Sequence, residues 1–334
     1  MPKISVIVLN YNGLGLIACC LEALEKQSFK DFEIVIVDNA SLDGSADEIR
    51  KFLIKSPIAC RVKLISLDQN LGFAGGNIEG LRVAEGEHIA LLNNDTKPEE
   101  NWLGELFGAM ESDPKVGICA SKLLLEGSNR IDSAGDGFLP FLKGFKRGEG
   151  EKDFSYKQRE YIFGACAGAA LYRRKMIEEV GFLDDDFFLI HEDTDLNLRA
   201  HLYGWKVLFA PEAIVYHRVR STIGKMSDTA VYYTLRNCEF VRIKNIPIGV
   251  FVSCFLELMV KTILEFMYFA LKHKNINLYL RAKIDALKMF PRMIKKRRKI
   301  MKNRKVDNRY LRSLMTPIWE KGFWQLKIKK FLQN

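Results

Sequence analysis

Residues 3–96 alternate short, nearly continuous apolar runs with segments of helical periodicity, and this alternation constrains the fold more than any other feature. The runs are rich in Val and Ile: Lys3–Leu9, Glu33–Val37, Arg61–Ser66 and His88–Leu92. Apolar runs of this kind are typical of strands buried on both faces. Strands that alternate with helices through short connections form parallel sheets with right-handed crossovers. The sequence therefore predicts an α/β fold, a mostly parallel sheet flanked by helices with a Rossmann-like half.

Each apolar run is followed by a segment rich in Asn, Asp and Gly: Asn10–Gly13, Asp38–Ser45, Asn70–Asn77 and Asn93–Thr96. Ligands of parallel sheets bind beyond the carboxyl ends of the strands. We therefore expect one edge of the sheet to be a polar crevice. Ser45 and Glu48 have the spacing of a capping box and predict the start of the second helix.

One motif favours a different enzyme class. Gly13, Gly15 and Ala18 fit the dinucleotide fingerprint G-x-G-x-x-A after a strand, and Asp38 ends the next strand. However, the glycines begin three residues after the strand, and an NAD-dependent oxidoreductase would leave the acidic residues farther along the chain without a role. We keep it as the less favoured alternative.

The segment Phe187–His217 contains an acidic cluster, Glu192, Asp193 and Asp195, before a helical pattern over 196–203. The unpaired N–H groups and the dipole of a helix N-terminus are expected to keep such acids ionised. An ionised carboxylate on a rigid element can take a proton from a hydroxyl. The alternative is that these acids only cap the helix.

Two further stretches are less regular. Residues 126–155 are glycine-rich and charged without a clear period, which predicts a mobile loop near an acceptor. Residues 164–170 are small, and they allow either close backbone approach beneath a ligand or tight packing.

The net charge of +10 combines two unlike parts. Residues 272–334 hold 20 Lys and Arg against 3 Asp and Glu, a net of +17, so residues 1–271 carry +10 − 17 = −7. The stretch Ile248–Leu271 is long enough to span a bilayer. Yet Glu257, Lys261 and Glu265 lie on one helical stripe, which predicts an amphipathic helix with a wide apolar face.

The basic cluster over 288–305, with Trp319, Phe323 and Trp324 among lysines, favours binding to an anionic cytoplasmic leaflet. The alternatives are a helix packed on the catalytic domain and a solvated charge run. No recognition module accompanies the charge, so nucleic acid is not an expected partner. The seven cysteines show no paired spacing and predict reduced core residues of a cytoplasmic protein.

Taken together, the motifs resemble the family 2 inverting glycosyltransferases of GT-A type, particularly their rhamnosyltransferase-like branch. The matching blocks are SVIVLNYNG (5–13), IVIVDNASLDGS (34–45), NLGFAGGN (70–77), LLNNDT (91–96), GACAGAALYRR (164–174) and FFLIHEDTDLNLRAHLYGW (187–205), followed by His217. The resemblance covers residues 3 to about 240. It implies a catalytic domain over 1–240 and an amphipathic, basic helical extension over 241–334.

The resemblance also implies residue roles. Asp193 matches the catalytic base, and Glu192, Asp195 and Gly168 would support the site or the acceptor. The nucleotide sugar would be bound by Leu9, Asn10, Asn12, Asp38, Asn70, Gly75, Asn77, Asn93, Asn94 and Asp95.

Asn93-Asn94-Asp95 occupies the metal-binding D-x-D position of the family, and His217 resembles the histidine that completes the metal site. The two asparagines depart from the acidic pattern and leave Asp95 as the one carboxylate ligand. Sites rich in oxygen suit Mg²⁺ or Mn²⁺, and an imidazole ligand favours Mn²⁺ slightly.

The implied reaction is inverting transfer of a sugar from a nucleotide-diphosphate donor, with dTDP-rhamnose favoured. The acceptor would be a glycan, with a lipid-linked one favoured, in bacterial cell-surface polysaccharide synthesis at the inner face of the membrane. A catalytically silent nucleotide-sugar-binding scaffold at the membrane is the alternative from another functional class.

Overall fold

A computed structural model describes residues 1–218, 227–273 and 275–317. Its first part follows the predicted alternation: β1 Ile4–Asn10, α1 Ile17–Glu25, β2 Phe32–Asp38, α2 Ser45–Lys55, β3 Val62–Ser66, α3 Gly72–Val83 and β4 His88–Asn93. The capping-box prediction is wrong. Gly44 is the N-cap of α2 without a side-chain cap, and the Glu48 carboxylate accepts a hydrogen bond from the amide of Gly15 in the neighbouring loop.

The next part adds further strands and three α-helices: β5 Thr96–Pro98, α4 Trp102–Glu111, β6 Val116–Leu125, β7 Ile131–Ser133, β8 Asp136–Leu139, β9 Lys143–Lys146, β10 Glu160–Ile162, β11 Ala169–Arg173, α5 Arg174–Val180, α6 Glu192–Leu202 and β12 Lys206–His217. β8 and β9 form a separate two-stranded sheet. The predicted mobile loop over 126–155 is therefore wrong. This stretch forms β7, β8 and β9, and the ammonium of Lys122 donates to the carbonyls of Asp153 and Ser155.

The main sheet has the strand order β10-β12-β6-β11-β4-β1-β2-β3. β1 pairs in parallel with β2 and β4, and β2 pairs in parallel with β3, as predicted. β11 runs antiparallel to β4 and β6 and so divides this parallel half from the parallel pair of β6 and β12. Alternate residues of β1 enter separate apolar cores on the two faces, Ile7 on one and Val6 on the other. The fold is thus a mixed α/β sheet flanked by helices.

The C-terminal region is helical: α7 Asp228–Asn245, α8 Ile248–Ser253, α9 Phe255–Met267, a π-helical turn over Tyr268–Lys272, α10 Ile276–Lys288, α11 Phe290–Lys302 and α12 Asn308–Ser313. The chain then returns to the sheet domain, where the amide of Lys305 donates to Leu202 and that of Thr316 donates to Phe138. Over the residues the structure describes, no helix is long and apolar enough to cross a bilayer.

Part of the basic region packs on the domain. Lys296 of α11 pairs with both Asp184 and Asp186, and Lys305 pairs with Glu179. All seven cysteines are free, but Cys19 and Cys60 are exposed, so the prediction of core cysteines is wrong for these two.

Candidate active site

Four loops at the carboxyl ends of β1 to β4 are joined by buried amide side chains. Asn10, at the end of β1, is fully buried, and its Nδ2 lies 2.9 Å from both Asp38 Oδ1 and Ser45 Oγ. Its Oδ1 accepts a hydrogen bond from Nδ2 of Asn94 at 2.8 Å. A Cβ on Gly13 would lie 2.1 Å from Asn94 Nδ2, so only glycine leaves room for this contact. The polar crevice predicted from the sequence is thus held by a rigid network.

The loop after β3 joins the same network. Asn39 Nδ2 donates to Asn70 Oδ1 at 2.9 Å, and Asn39 Oδ1 accepts from the amide of Leu71 at 2.9 Å. The Oδ1 of Asn12, a residue with a φ of 50°, accepts from the amide of Leu42. Asn12 and Asn70 therefore shape the loops through their side-chain hydrogen bonds.

Three other residues expected to bind the nucleotide sugar are used within the fold. Asn77 is buried, and its amide donates to the carbonyl of Phe73 one turn earlier in α3. Gly75 is buried in the same helix, and Leu9 packs against Gly76. Gly75 and Asn77 are thus buried within α3, whereas Leu9 remains half-buried.

Asp95 and His217 lie next to each other, as a shared metal site requires. His217 Nε2 is 3.3 Å from Asp95 Oδ1, and His217 Nδ1 is 2.9 Å from Asp132 Oδ2. Asp132 in turn accepts from Lys146 at 2.8 and 2.7 Å. β12 places His217 opposite Thr96 of β5, and Thr96 is the residue that directly follows Asp95.

Burial opposes the charge of His217, but its hydrogen bonds to Asp132 and Asp95 outweigh that effect and raise its pKa to about 9. Burial likewise opposes the charge of Asp132, yet His217 and Lys146 lower its pKa to about 2. Oδ1 of Asp95 is buried and has no aligned hydrogen-bond donor among the described residues. The site therefore holds a carboxylate and a protonated imidazole, and Nε2 of His217 would release its proton if the two groups held a divalent cation.

The three clustered acids have three different environments. Asp195 is fully buried between Arg199 and Lys244, with contacts of 2.8 Å to each. Glu192 is buried, and burial and then the charge of Asp193 raise its pKa well above the usual range. The expectation that the helix terminus keeps all three acids ionised is therefore wrong for Glu192.

Asp193 is the half-buried member of the cluster. Its Oδ1 accepts from the amide of Thr194 at 2.6 Å, and its Oδ2 has no hydrogen bond to the described residues. Of the three acids, Asp193 alone combines solvent access with a free carboxylate oxygen.

The backbone before α6 is strained and tied down. Phe188, Ile190 and His191 all have φ between 63° and 70°. The buried amide of Asn237 in α7 donates to the carbonyls of Phe187, Leu189 and Ile190 at 2.7–2.9 Å. Non-glycine residues keep such conformations only where their surroundings fix them, and such strain clusters at active sites.

His191 also contacts α7, because its Nε2 lies 3.2 Å from Cys238 Sγ. Burial raises the pKa of this thiol, but His191 more than offsets it, and the pKa falls to about 6.

The hairpin of β8 and β9 connects the two halves of the site. Lys146 of β9 pairs with Asp132 beside His217, and Gly144 of the same strand packs against Thr194, since a Cβ on Gly144 would lie 2.7 Å from Thr194 Oγ1. Asp136, opposite Lys146, has its pKa raised by burial and then by the charge of Asp193. The hairpin therefore touches both Asp132, beside His217, and Thr194, beside Asp193.

Gly168 supports the Asn93 end of this site. Its carbonyl accepts from the amide of Asn93 at 2.9 Å, and a Cβ on it would lie 3.1 Å from Asn93 Nδ2.

Asp184, Asp185 and Asp186 form the acidic group of the described residues whose oxygens lie close enough together to hold a cation. Lys244 and Lys296 already contact Asp184, each at 2.5 Å, and Arg292 and Lys296 contact Asp186. Ammonium and guanidinium groups occupy this cluster, so it serves to dock the C-terminal helices.

Sequence reasoning missed Asp132, Lys146 and Asn237. The opposite charges of Asp132 and Asp136 against Lys143 and Lys146, on either side of a turn, were the signal for a paired hairpin. Nothing in the sequence around Asn237 marks it.

The sequence profile of "Glycosyl transferase family 2" matches residues 5–181. The amylovoran biosynthesis glycosyltransferase AmsB of Erwinia amylovora is 26% identical over 238 residues, which are 69% of this chain and 75% of AmsB. GlyA of Streptococcus pneumoniae is 25% identical over 222 residues, and the match spans 65% of this chain but only 31% of GlyA.

Among solved structures, the mannosyltransferase PcManGT of Pyrobaculum calidifontis, in complex with GDP-Man and Mn²⁺, superposes with a TM-score of 0.57. It is 18% identical, and the match covers 94% of this chain and 86% of that one. At this identity the likeness concerns the fold, which agrees with the expected GT-A type.

Proposed function

Since the chain belongs to glycosyl transferase family 2, we propose that it transfers a sugar from a nucleotide-diphosphate donor to a hydroxyl of a glycan acceptor, with inversion at the anomeric carbon. The observation that carries this proposal is the environment of Asp193. It is the accessible acid of its cluster, and it lies near the hairpin that also holds Asp132 beside His217. A single displacement needs a general base and a site for the leaving group within one crevice.

Asp193 acts as the general base in this proposal. The acceptor oxygen forms a bond to the anomeric carbon while the bond from that carbon to the phosphate oxygen breaks. The proton of the acceptor hydroxyl goes to the free Oδ2 of Asp193, and the electron pair leaves with the diphosphate. The amide of Thr194 holds Oδ1 and so fixes the direction of the second oxygen. One base on the side opposite the leaving group gives inversion.

Asp95 and His217 would hold a divalent cation. The buried Oδ1 of Asp95 and the Nε2 of His217, which lie 3.3 Å apart, fit such an ion, and the set of one carboxylate and one imidazole favours Mn²⁺ over Mg²⁺ slightly. When bound, the ion supplies positive charge that stabilises the departing diphosphate. Asp132 orients the imidazole, since the outer nitrogen of a metal-bound histidine commonly donates to a carboxylate.

Asn10, Asp38 and Asn94 form the rigid end of the crevice that binds the nucleobase. The segments 70–77 and 93–95 line the pocket for the rest of the donor. The nucleotide sugar proposed is dTDP-rhamnose, a choice that rests on the resemblance to the rhamnosyltransferase-like branch. The named ligands of solved relatives differ: GDP-Man for PcManGT and UDP-GlcNAc for TarS 1-349 of S. aureus.

The acceptor proposed is a lipid-linked glycan of a cell-surface polysaccharide, processed at the cytoplasmic face of the membrane. The name of AmsB, a biosynthetic enzyme of the polysaccharide amylovoran, supports this class of product. The catalytic domain proposed is 1–240, with an extension over 241–334. The boundary falls within α7, which contains Asn237 and also packs against α11.

A donor screen tests the proposal. Thermal unfolding of the protein would be followed with dTDP-, UDP- and GDP-sugars, each with Mn²⁺ and with chelator, because a ligand of the folded state raises apparent stability. The stabilising donor would then be used to measure sugar transfer and donor hydrolysis. Stabilisation accompanied by neither reaction would instead support the silent scaffold, and absence of stabilisation by every donor would contradict both.

A further inference from the structure

α9 has its apolar side turned outwards. None of its residues is buried. Its exposed large apolar side chains form what we call the apolar face: Phe255, Leu256, Met259, Val260, Ile263, Leu264, Phe266 and Met267. A helix on the surface of a globular protein normally buries such residues and exposes its charges.

The charged stripe of α9 points into the protein. Lys261 and Glu265 form an ion pair, and the side chain of each is only 15% exposed. Lys283 of α10 lies 3.4 Å from Glu265 and 2.6 Å from Glu239 of α7, which also pairs with Arg242. Burial and then the charge of Arg242 lower the pKa of Lys261 to about 8, in keeping with its inward position. Ion pairs therefore hold the charged stripe of α9 against the protein, together with Leu258, which packs on the main apolar core.

The flanking helices add to the exposed apolar surface. Ile248 and Val252 of α8 are exposed, as are Leu280, Ile284 and Leu287 of α10. Phe266 packs edge-on against Tyr279, which joins α9 to α10. Apolar surface on this scale marks an interaction site in natural proteins.

Charge distinguishes between the partners that could cover this surface. Residues 272–317 contain 16 Lys and Arg against 2 Asp and Glu. Lys295, Arg298 and Lys299 of α11 are exposed, and no described carboxylate pairs with them. Two copies of this region would repel each other, whereas anionic lipid headgroups would attract it.

We propose that the apolar face of α9 inserts into the interfacial layer of an anionic bilayer, with the basic residues of α10 and α11 against the headgroups. Interfacial helices bury their apolar side about 5–10 Å deep in this way. Lys283 of α10 links Glu265 of α9 to Glu239 of α7. The preceding residue of α7, Cys238, touches His191 at the start of the Asp193 cluster. Membrane binding at this surface would bring the active site towards a lipid-linked acceptor. The proposed reaction does not involve this surface, so membrane binding is tested without a sugar donor.

Vesicle flotation of the full chain tests this inference. Phosphatidylcholine vesicles with and without phosphatidylglycerol would be mixed with the wild type and with the double variant Leu256→Gln/Leu264→Gln, which changes side chains 72% and 60% exposed. We expect the double variant to lose at least about tenfold of its binding to anionic vesicles. Ile54→Gln, at an 83% exposed position on α2, is the matched control and should bind as the wild type does.

A second variant, Lys295→Gln/Arg298→Gln/Lys299→Gln, should reduce binding to anionic vesicles and leave the weaker binding to neutral vesicles unchanged. Equal flotation of the wild type and the Leu256→Gln/Leu264→Gln variant would overturn the proposal. So would light scattering that finds a dimer in the wild type and a monomer in that variant, since a second copy would then cover the face. Failure of flotation would not affect the proposed transfer of sugar, which the donor screen tests separately.

Discussion

Nδ1 of His217 lies 2.9 Å from Oδ2 of Asp132, a residue 85 positions earlier in the chain. This contact leaves the opposite ring nitrogen directed at Asp95. Lys146 compensates the charge of Asp132, so the carboxylate can remain ionised although it is buried. The imidazole is therefore oriented by a segment that carries no recognised motif.

Asp132→Asn should weaken metal-supported donor binding by about 10- to 100-fold, because the amide no longer holds His217 in the required tautomer. Calorimetry with the stabilising donor, with Mn²⁺ and with chelator, measures this effect. Binding in chelator should be unchanged. Glu212→Gln, an exposed acid paired with Arg159, is the control. Equal Mn²⁺ dependence in wild type and Asp132→Asn would refute the positioning role.

Asp193→Asn should lower kcat by about 10²–10⁴-fold, because the amide cannot accept the acceptor proton. Donor affinity and thermal stability should stay close to wild type, since the side chain is half-buried and its amide contact from Thr194 is retained. Steady-state transfer kinetics together with donor calorimetry separate the two effects. Wild-type turnover in this variant would remove the catalytic assignment.

Asp195→Ala should instead lower the free energy of unfolding. Its carboxylate is fully buried between Arg199 and Lys244, and removing it leaves two buried cations short of a partner. Breaking a buried pair in this way costs about 3–5 kcal/mol. Denaturant titration should show this loss, while Asp193→Asn changes the free energy of unfolding by less than about 1 kcal/mol. A reversed order would mean that the roles of the two acids are exchanged.

Glu192→Gln should change how stability depends on pH. The pKa of Glu192 is raised above its usual 4.5 in the folded state, first by burial and then by Asp193. Above the unfolded value the native protein keeps a proton that the unfolded chain releases, so wild-type stability falls as pH rises, by up to about 1.4 kcal/mol per pH unit. Glutamine has no such proton, so the variant should gain stability relative to wild type as the pH rises above about 4.5. A constant difference across this range, in denaturant titrations at several pH values, would contradict a protonated Glu192.

Local patterns were enough to predict the parallel strands and the loops that follow them. The runs at Lys3–Leu9 and Glu33–Val37 carry their β-branched residues continuously, and a strand buried on both faces needs that composition whatever surrounds it. The polar crevice followed in turn, because adjacent parallel strands bring their carboxyl ends together, and the hydrogen bond from Asn10 to Asp38 lies within it. The capping box at Ser45 failed for a tertiary reason, since Glu48 meets Gly15 across the crevice.

The sequence by itself determined the α/β class, the family and the residues that approach the crevice, because strand burial and loop composition are local properties of the chain. Only the tertiary structure decided how the acids divide their roles and which side of α9 faces outwards. Protonation depends on which charges surround a group: Lys244 reaches Asp195 from 49 residues away, whereas no cation of the described residues pairs with Glu192. The stripe at Lys261 likewise turned inwards because Lys283, on α10, gave Glu265 a partner that water would otherwise have supplied.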